Sequence, residues 1–314
     1  MLRVSLTDRV LDNQPGRRPQ PEDFVRKGKP RWLRMQLPSD PRYFALRNLI
    51  QEHKLHTVCQ EARCPNMGEC WSHGVATVMI LGDTCTRSCG FCNIKTGKPP
   101  TLDIDEPQRV GHAVALMNLR FVCITSVNRD ELADGGASLW AQTLRQIHRQ
   151  APQTRIEALV PDFCGDWDAL QLVLGEKPDI LNHNLESVPR LYKAVRPQAK
   201  YERSIELLRH AKERGLVAKT GIMVGIGERD EEVIALMKDV QAGTQTKNGA
   251  CDILSIGQYL QPSPAHLPVN RFVTPDQFAE FKRIGEELGF RHVESGPMVR
   301  SSYHADQQAA LAHK

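Results

Sequence analysis

Six of the nine cysteines lie between positions 59 and 92 of the 314-residue chain, where they form two triads. The first is Cys59-x4-Cys64-x5-Cys70 and the second is Cys85-x3-Cys89-x2-Cys92. A structural zinc site usually takes four Cys or His ligands, commonly as two C-x2-C pairs, and neither triad supplies that set. Three close thiolates can instead bind three irons of a 4Fe-4S cube and leave the fourth iron open. The spacing therefore predicts iron–sulfur chemistry.

The composition is that of a globular protein with reduced thiols. Hydrophobic residues make up 40% of the chain, and no apolar run approaches the ~18 residues that a membrane helix needs. Nine cysteines are too few for a disulfide scaffold in a chain of this length, and no apolar signal-peptide core follows Met1. We therefore expect a cytoplasmic protein that does not enter a membrane.

The basic excess lies entirely in a leader. Residues 1–34 carry nine basic and four acidic side chains, a net of +5, so the rest of the chain carries −1 of the total of +4. Four prolines predict an extended arm here. The arm is either a docking segment for an acidic partner or a solvated tail, and its four acids argue against a mitochondrial transit peptide. No aromatic residues are interleaved for stacking on nucleic acid, so we expect no nucleic-acid partner.

From Ala76 onward, short β-branched runs alternate with longer amphipathic stretches, which is typical of parallel strands joined by crossover helices. The predicted strands are Thr77–Leu81, Arg120–Ser126, Arg155–Val160, Asp179–Asn184, Ala218–Val224 and Asp252–Tyr259, with a short run at His292–Glu294. The predicted helices are Pro107–Leu119, Ser138–Gln150, Asp166–Leu174, Tyr201–Arg214, Asp230–Val240 and Pro275–Leu288. Six βα units predict a partial (β/α)6 TIM-like barrel with N-terminal and C-terminal extensions, with an open doubly wound sheet as the alternative.

Both architectures place their sites at the carboxyl ends of the strands. Polar residues and glycines gather there, at Asn128, Asp130, Gly135, Gly136, Asp162, Asn182, His183, Asn184, Glu186, Gly225, Gly227, Glu228, Gln258 and Tyr259. We therefore expect one open face to collect the chemistry. For a single member such as His183, a buried structural histidine is the alternative interpretation.

The second triad stands in Gly82–Asn93 (GDTCTRSCGFCN), directly after the first predicted strand. This segment resembles the signature of the radical S-adenosylmethionine superfamily. The resemblance implies a 4Fe-4S cluster on Cys85, Cys89 and Cys92, whose open iron binds S-adenosylmethionine and, once reduced, cleaves it to a 5′-deoxyadenosyl radical. The cofactor then carries the difficult step, and the protein positions it and excludes solvent.

The same resemblance implies several residues that contact S-adenosylmethionine. Gly135 and Gly136 correspond to a glycine-rich element at the methionine amino group, although Asp-Gly-Gly is also an ordinary turn. Gly225 and Glu228 fall in an element similar to one near the adenine, and Phe91 corresponds to a bulky residue beside the nucleotide.

The first triad, in Val58–Trp71 (VCQEARCPNMGECW), resembles the second-cluster motif of the branch of the superfamily that makes the lipoyl cofactor. Further similar segments are Lys29–Arg34, Asp134–Ala137, Gly257–Ser263 and Arg300–Ala305 (RSSYHA). The resemblance implies an auxiliary 4Fe-4S cluster on Cys59, Cys64 and Cys70, with a serine of the last segment as fourth ligand. Between its two serines we expect Ser302 rather than Ser301.

This branch inserts sulfur at carbons 6 and 8 of a protein-bound octanoyl chain and spends two molecules of S-adenosylmethionine. Methylene hydrogens are not acidic enough for a positioned base, so a radical is required, and a sulfide held beside the carbon radical has the advantage of proximity. The implied partners are octanoylated lipoyl carrier domains (the glycine cleavage H protein and acyltransferase subunits of 2-oxoacid dehydrogenases), an electron donor such as flavodoxin or ferredoxin, and a cluster-assembly carrier.

These inferences divide the chain into four segments: an arm at 1–34, an extension with the auxiliary triad at 35–75, the barrel at 76–290, and a segment closing over the auxiliary cluster at 291–314. Two alternatives stay open. One is another sulfur-inserting radical enzyme, such as a methylthiotransferase acting on RNA, although we expect no room for its usual RNA-binding domain. The other is a zinc-stapled binding module without catalysis.

Overall fold

The computed structural model describes residues 30–33, 40–53, 55–62, 64–305 and 307–308, so most of the predicted basic arm lies outside the described residues. The strands of the described chain are β1 His56–Thr57, β2 Val75–Ile80, β3 Thr84–Cys85, β4 Lys95–Thr96, β5 Phe121–Ser126, β6 Arg155–Leu159, β7 Ile180–Asn182, β8 Val217–Val224, β9 Ile253–Gln258 and β10 His292–Gly296. Its α-helices are α1 Pro41–Glu52, α2 Val58–Glu61, α3 Met67–Ser72, α4 Glu106–Met117, α5 Ala137–Gln150, α6 Trp167–Gly175, α7 Tyr192–Val195, α8 Tyr201–Glu213, α9 Asp230–Gly243 and α10 Pro275–Glu287. None of these helices is long and apolar enough to cross a membrane.

One sheet organises the molecule, in the order β1-β2-β5-β6-β7-β8-β9-β10. Strand β1 pairs antiparallel with β2, and every other neighbouring pair is parallel. Helices connect the parallel strands, and the two edges, β1 and β10, do not meet in the described sheet. The prediction of a partial α/β barrel is therefore confirmed.

The strands form where long apolar runs can be covered on both faces. All six residues of β2 and all six of β9 are buried, as is typical of parallel strands under a layer of helices. The helices that cover them bury one side: α5 buries Leu139, Trp140, Leu144 and Ile147 along a helical period. The main core lies between this helical layer and the sheet.

A second, smaller apolar cluster closes the amino end of the barrel. It joins the first residues of five parallel strands to one residue of the C-terminal segment: Val75, Phe121, Ile180, Val217, Ile253 and Ala305. Residues paired in register, such as Val75 with Phe121 and Ile180 with Val217, face the same side of the sheet. The C-terminal segment therefore enters the barrel and reaches its amino end.

The predicted strands agree with the observed ones to within two residues at each end, and the predicted helices to within three. The run at His292–Glu294 extends to Gly296 and becomes β10, so the sheet continues past the predicted barrel boundary at residue 290. The short elements β1, β3, β4, α2, α3 and α7 were not predicted, because each is too short to show a period and depends on tertiary contacts.

Candidate active site

The loop of the second triad follows β2 at its carboxyl end and is bound to the next strand of the sheet. The Cys85 Sγ accepts hydrogen bonds from the backbone amides of Asn128, at 3.3 Å, and of Arg87, at 3.4 Å. The Thr86 amide donates to the Asn128 carbonyl at 3.1 Å. The structure thus brings Asn128, one of the polar residues singled out after the second predicted strand, against the first cysteine of the triad.

Arg87, inside the same loop, is buried between two carboxylates. Its Nε lies 2.7 Å from Asp130 Oδ2, and its Nη2 lies 2.7 Å from Asp162 Oδ1. Burial alone would raise the pKa of Asp162, but the hydrogen bonds and charge of Arg87 outweigh it and hold this pKa well below its usual range. These ion pairs fasten the cysteine loop to the carboxyl ends of β5 and β6.

The other side of the loop is held by backbone contacts. The Gly90 amide donates to the Val195 carbonyl at 2.8 Å, and the Leu267 amide donates to the Gly90 carbonyl at 3.0 Å. A Cβ at Gly90 would lie 2.9 Å from Leu267 Cδ1 and 3.0 Å from the Ala194 carbonyl oxygen, so a larger residue would push these neighbours away. His266 Nε2 lies 3.0 Å from the Cys92 carbonyl oxygen. The loop is therefore anchored on both sides before any ligand binds.

The chemistry of the second triad fits a soft, cationic ligand. Burial raises the pKa of Cys89 to about 12 and that of Cys92 to about 11, and the charge of Arg196 only partly opposes the shift at Cys89. Thiols in this setting lose their protons when a metal takes them, and thiolates prefer iron–sulfur clusters, zinc and copper. Among the described residues, no three His, Cys, Asp or Glu side chains are grouped closely enough for a single metal ion.

Gly135 and Gly136 lie where α5 begins, and both have positive φ angles, of 59° and 90°. A Cβ at Gly136 would lie 2.5 Å from Leu81 Cδ1, at the end of β2. The Asp134 carboxylate accepts hydrogen bonds from the amides of Gly136 and Ser138, both at 2.9 Å. The two glycines therefore bring the start of α5 against the strand that carries the cysteine loop, and their contact with the cofactor stays a prediction.

Glu228 is buried and folds back onto its own loop. Its carboxylate accepts hydrogen bonds from the amides of Gly225, at 2.7 Å, and Ile226, at 3.0 Å, and it lies 3.2 Å from Arg271 Nη2. A Cβ at Gly225 would lie 2.2 Å from Gln258 Nε2, so the turn also requires glycine. The structure thus gives Glu228 the task of shaping the loop after β8, while a direct contact with the adenine stays a prediction.

Phe91 is half-buried against the main core, and two further charged residues stand beside the triad. Glu186 is half-buried, and desolvation raises its pKa above the usual range although the charge of Arg196 opposes the shift. The buried Nε of Arg196 has no hydrogen-bond partner among the described atoms. The sequence pointed to Glu186 by its place after the fourth strand, but no signal pointed to Arg196, which reaches the site from beyond α7.

The first triad lines a cavity of its own. The cavity is bounded by Cys59, Cys64 and Cys70, by Thr77 of β2, and by Arg300, Ser302 and Tyr303 of the C-terminal segment, with Asn66, Met67 and Val75. Burial raises the pKa of Cys59 to about 11 and also raises that of Cys64, near which the half-buried Arg300 guanidinium lies. A cation beside these thiols suits an anionic thiolate cluster, so the donor set fits the expected group.

The two neighbouring serines of the C-terminal segment have different surroundings. Ser302 lines the cavity, and its Oγ lies 2.6 Å from Thr77 Oγ1. Ser301 lies outside the cavity lining; its Oγ accepts a hydrogen bond from Asn184 Nδ2 at 2.6 Å, and its carbonyl accepts one from Lys219 Nζ. Lys219 is itself fully buried and paired with Glu157 at 2.9 Å.

The expectation that one face collects all the chemistry is wrong for the first triad. The C-terminal segment passes Gly257 of β9, where a Cβ would lie 2.1 Å from the Val299 oxygen, and it continues to Ala305 at the amino end of the barrel. Cys70 packs against that amino-end cluster. The first triad therefore meets the C-terminal segment in a cavity that both line, next to the amino-end cluster.

Comparison with known proteins agrees with this geometry. Residues 79–240 match the model of the Radical SAM superfamily. The chain is 54% identical over 291 residues to lipoyl synthase of Rubrobacter xylanophilus, covering 92% of this chain and 89% of that one. It is 50% identical over 283 residues both to lipoyl synthase of Christiangramia forsetii, with 90% and 94% coverage, and to a mitochondrial lipoyl synthase of Nematostella vectensis, with 90% and 95% coverage.

Solved structures are similar in fold alone. HydG, a maturase of the [FeFe]-hydrogenase, superposes with a TM-score of 0.57 at 11% identity, covering 76% of this chain and 54% of that one. Streptococcus suis SuiB bound to its precursor peptide gives 0.52 at 12% identity, with 81% and 52% coverage. The chain thus spans about half the length of these two structures but nearly all of its named relatives. On this evidence the chain belongs to the lipoyl synthase family of the radical S-adenosylmethionine superfamily.

Proposed function

We propose that the chain inserts two sulfur atoms, at carbons 6 and 8, into an octanoyl group on a carrier protein and so makes the lipoyl cofactor. Family membership makes it a sulfur-inserting radical enzyme that uses a 4Fe-4S cluster and S-adenosylmethionine. The observation that carries the fuller proposal is the cavity in which three cysteines of the N-terminal extension meet Ser302 of the C-terminal segment. To this we add, as parts of the proposal, the second cluster, its four ligands and the identity of the carrier.

Cys85, Cys89 and Cys92 would hold the first cluster. When bound and reduced, this cluster supplies, with S-adenosylmethionine, a radical that can remove hydrogen from a saturated carbon. The chain's own part is positional: Arg87 holds the loop between Asp130 and Asp162. A loop anchored in this way keeps the reacting groups in place without further ordering when the substrate arrives.

We assign the binding of S-adenosylmethionine to Phe91, Gly135, Gly136, Gly225 and Glu228, as the family resemblance implies. Gly136 and Gly225 let the backbone approach closely, and Glu228 shapes its loop through three backbone amides. Arg196 adds a half-buried guanidinium beside Cys89, and its buried Nε has no hydrogen-bond partner among the described atoms. Such a donor suits the carboxylate of the methionine part.

The auxiliary cluster is a substrate, since it is consumed as the source of sulfur. Cys59, Cys64, Cys70 and Ser302 would hold it, and Arg300 would offset its negative charge. A serine oxygen is a hard ligand for an iron otherwise held by thiolates, so it should detach more easily than a cysteine as the cluster is dismantled. The three thiolates keep the remaining atoms in place for the second insertion.

The carrier is a lipoyl domain with an octanoylated lysine, as in the glycine cleavage H protein or the acyltransferase subunits of 2-oxoacid dehydrogenases. A reductant such as flavodoxin or ferredoxin and a cluster-assembly carrier complete the set of partners that we propose. We expect the chain to act in the cytoplasm, while one relative is named as mitochondrial. No observation on the described residues favours the RNA methylthiotransferase or the zinc module.

The reaction can be tested on an octanoylated carrier peptide. The protein, rebuilt with isotopically labelled sulfide, is reduced and incubated with the peptide and S-adenosylmethionine, and the intact mass of the peptide is measured. We expect a gain of two sulfur atoms, both labelled, because a sulfide held in the cavity is the nearest sulfur to the carbon radical. A peptide that gains unlabelled sulfur, or none, would contradict the proposal.

A further inference from the structure

Thr77 is the side chain that contacts the fourth predicted ligand of the auxiliary site. It lies in β2, it is 5% exposed, and its Oγ1 is 2.6 Å from Ser302 Oγ. Among the described residues, the Thr77 hydroxyl is the hydrogen-bond partner of the Ser302 hydroxyl. A central strand thus holds a residue that lies 225 positions further along the chain.

Thr77 also lies close to the first cysteine of the triad. Thr77 and Cys59 line the same cavity, and the hydroxyl and backbone of Thr77 partly oppose the rise that burial causes in the pKa of the Cys59 thiol. A threonine hydroxyl has one hydrogen to donate and two lone pairs to accept with. Its one hydrogen is therefore available to Ser302 Oγ, which lies 2.6 Å away.

We propose that Thr77 is a positioning residue that holds Ser302 against the auxiliary cluster and slows the release of iron from it. The inference rests on the auxiliary cluster of the proposed function and adds the residue that controls how tightly its oxygen ligand is held. As a ligand, Ser302 has lost its proton and can only accept, so Thr77 donates to it.

Other contacts hold the main chain of the C-terminal segment, which confines the role of Thr77 to one side chain. Lys219 binds the Ser301 carbonyl, Asn184 binds the Ser301 hydroxyl, and Asn66 Nδ2 binds the Met298 carbonyl at 2.6 Å. These three bonds do not involve Thr77. Removing the Thr77 hydroxyl should therefore remove the hydrogen bond to Ser302 Oγ while the C-terminal segment stays in place.

The test compares Thr77→Val, which keeps the shape and loses the hydroxyl, with Thr77→Ser, which keeps the hydroxyl. Resting protein loaded with both clusters, without S-adenosylmethionine, is mixed with the ferrous chelator bathophenanthroline disulfonate, and iron transfer is followed over time. A hydrogen bond to a charged oxygen is worth enough that its loss should speed release of the auxiliary iron about tenfold. Mössbauer spectra should lose the signature of one oxygen-ligated iron in Thr77→Val and keep it in Thr77→Ser.

Thr143→Val is the matched control, because Thr143 is equally buried and its hydroxyl bonds only within α5, to the Leu139 carbonyl. It should release iron at the wild-type rate. If Thr77→Val fails to fold, Thr77→Ala against Thr77→Ser makes the same comparison. Equal rates and equal spectra for variants with and without the Thr77 hydroxyl would overturn the inference.

Failure of the inference and failure of the proposed function give different results. Wild-type protein with about eight irons, by the count of two cubes, and no effect at Thr77 overturns the inference alone. Wild-type protein that never exceeds about four irons, with the same content in Ser302→Ala, overturns the auxiliary cluster and the inference with it.

Discussion

At the scale of residues, the two cysteine triads are held by opposite means. The second triad stands on a loop fixed by a buried charge, since Arg87 joins it to Asp130 and Asp162. The first triad is fixed by burial and by a neighbouring segment, since Cys59 packs in the core and Cys64 lies near Arg300. The loop of the second triad is therefore held by contacts within the barrel. The site of the first triad is complete only when the C-terminal segment is in place.

Replacing Cys59, Cys64 or Cys70 by Ala should abolish sulfur insertion but leave cleavage of S-adenosylmethionine. The iron content should fall from about eight to about four, because one of two cubes is lost. Iron analysis, peptide mass and the yield of 5′-deoxyadenosine check this. As a control, Cys251→Ser changes a buried cysteine outside both triads and should keep about eight irons. Loss of all cleavage in a folded variant would contradict the division of labour between the triads.

His183 makes stability depend on pH. It is buried, its Nδ1 lies 2.8 Å from the Val160 carbonyl, and burial together with the charge of Arg196 lowers its pKa to about 4. As the pH falls below 6.5, His183 becomes protonated in the unfolded chain, but in the folded protein it stays neutral down to about pH 4. The contribution of neutral His183 to the free energy of unfolding is therefore fully present above pH 6.5. It is lost as the pH falls toward 4, by up to about 3 kcal/mol.

Urea unfolding between pH 7 and pH 5 tests this with His183→Asn, whose amide can still donate to the Val160 carbonyl. The variant should lose less stability on acidification than the wild type. Exposed His112→Asn serves as control and should keep the wild-type pH dependence. An unchanged slope in His183→Asn would show that this histidine does not titrate as its surroundings require.

At the scale of elements, the C-terminal segment is the piece that joins the sheet edges. It leaves β10, passes Gly257, lays Ser302 against β2 and ends the described barrel at Ala305. Tyr303 lies 3.2 Å from Glu69 of α3, so the segment also contacts the helix that carries Cys70. The N-terminal extension and the C-terminal segment thus build one cavity from opposite ends of the chain.

Gly257→Ala should displace this segment, because the new Cβ would lie 2.1 Å from the Val299 oxygen. We expect a loss of stability of about 1–3 kcal/mol from overpacking, together with loss of the auxiliary iron and of sulfur insertion. Gly175→Ala is the matched control, since nothing lies within 4 Å of its Cβ and its φ is not positive. Chemical denaturation and iron analysis of both variants check the prediction, which full iron content in Gly257→Ala would refute.

At the scale of the whole molecule, the two cysteine triads lie at different levels of the barrel. The second triad lies at the carboxyl ends of the strands, where parallel sheets ordinarily place their sites. The first triad lines a cavity with the C-terminal segment, and its Cys70 borders the amino-end cluster. The octanoyl chain, as we propose it, must therefore reach from the carboxyl face into the barrel.

Deleting residues 2–28 should raise the KM for an acidic carrier by about tenfold at low ionic strength, and less at high salt, because long-range attraction is screened there. Residues 2–28 lie outside the described residues, so charge is the basis of this prediction. A variant with Arg3, Arg9, Arg17 and Arg18 replaced by Gln keeps the length and removes four charges. It should show part of the same effect while iron content stays unchanged. Identical kinetics at low salt would leave no docking role for the arm.

The sequence by itself determined the alternation of strands and helices and the two cysteine triads, because period and spacing are local properties. It also placed the polar residues that follow the strands, among them Asn128 and Glu186. Only the tertiary structure decided which serine enters the cavity, that Thr77 meets it, and that Arg196, Lys219 and Glu157 stand where they do. Those contacts join residues that lie tens to hundreds of positions apart in the chain. They form only when the sheet is complete and the C-terminal segment packs against it.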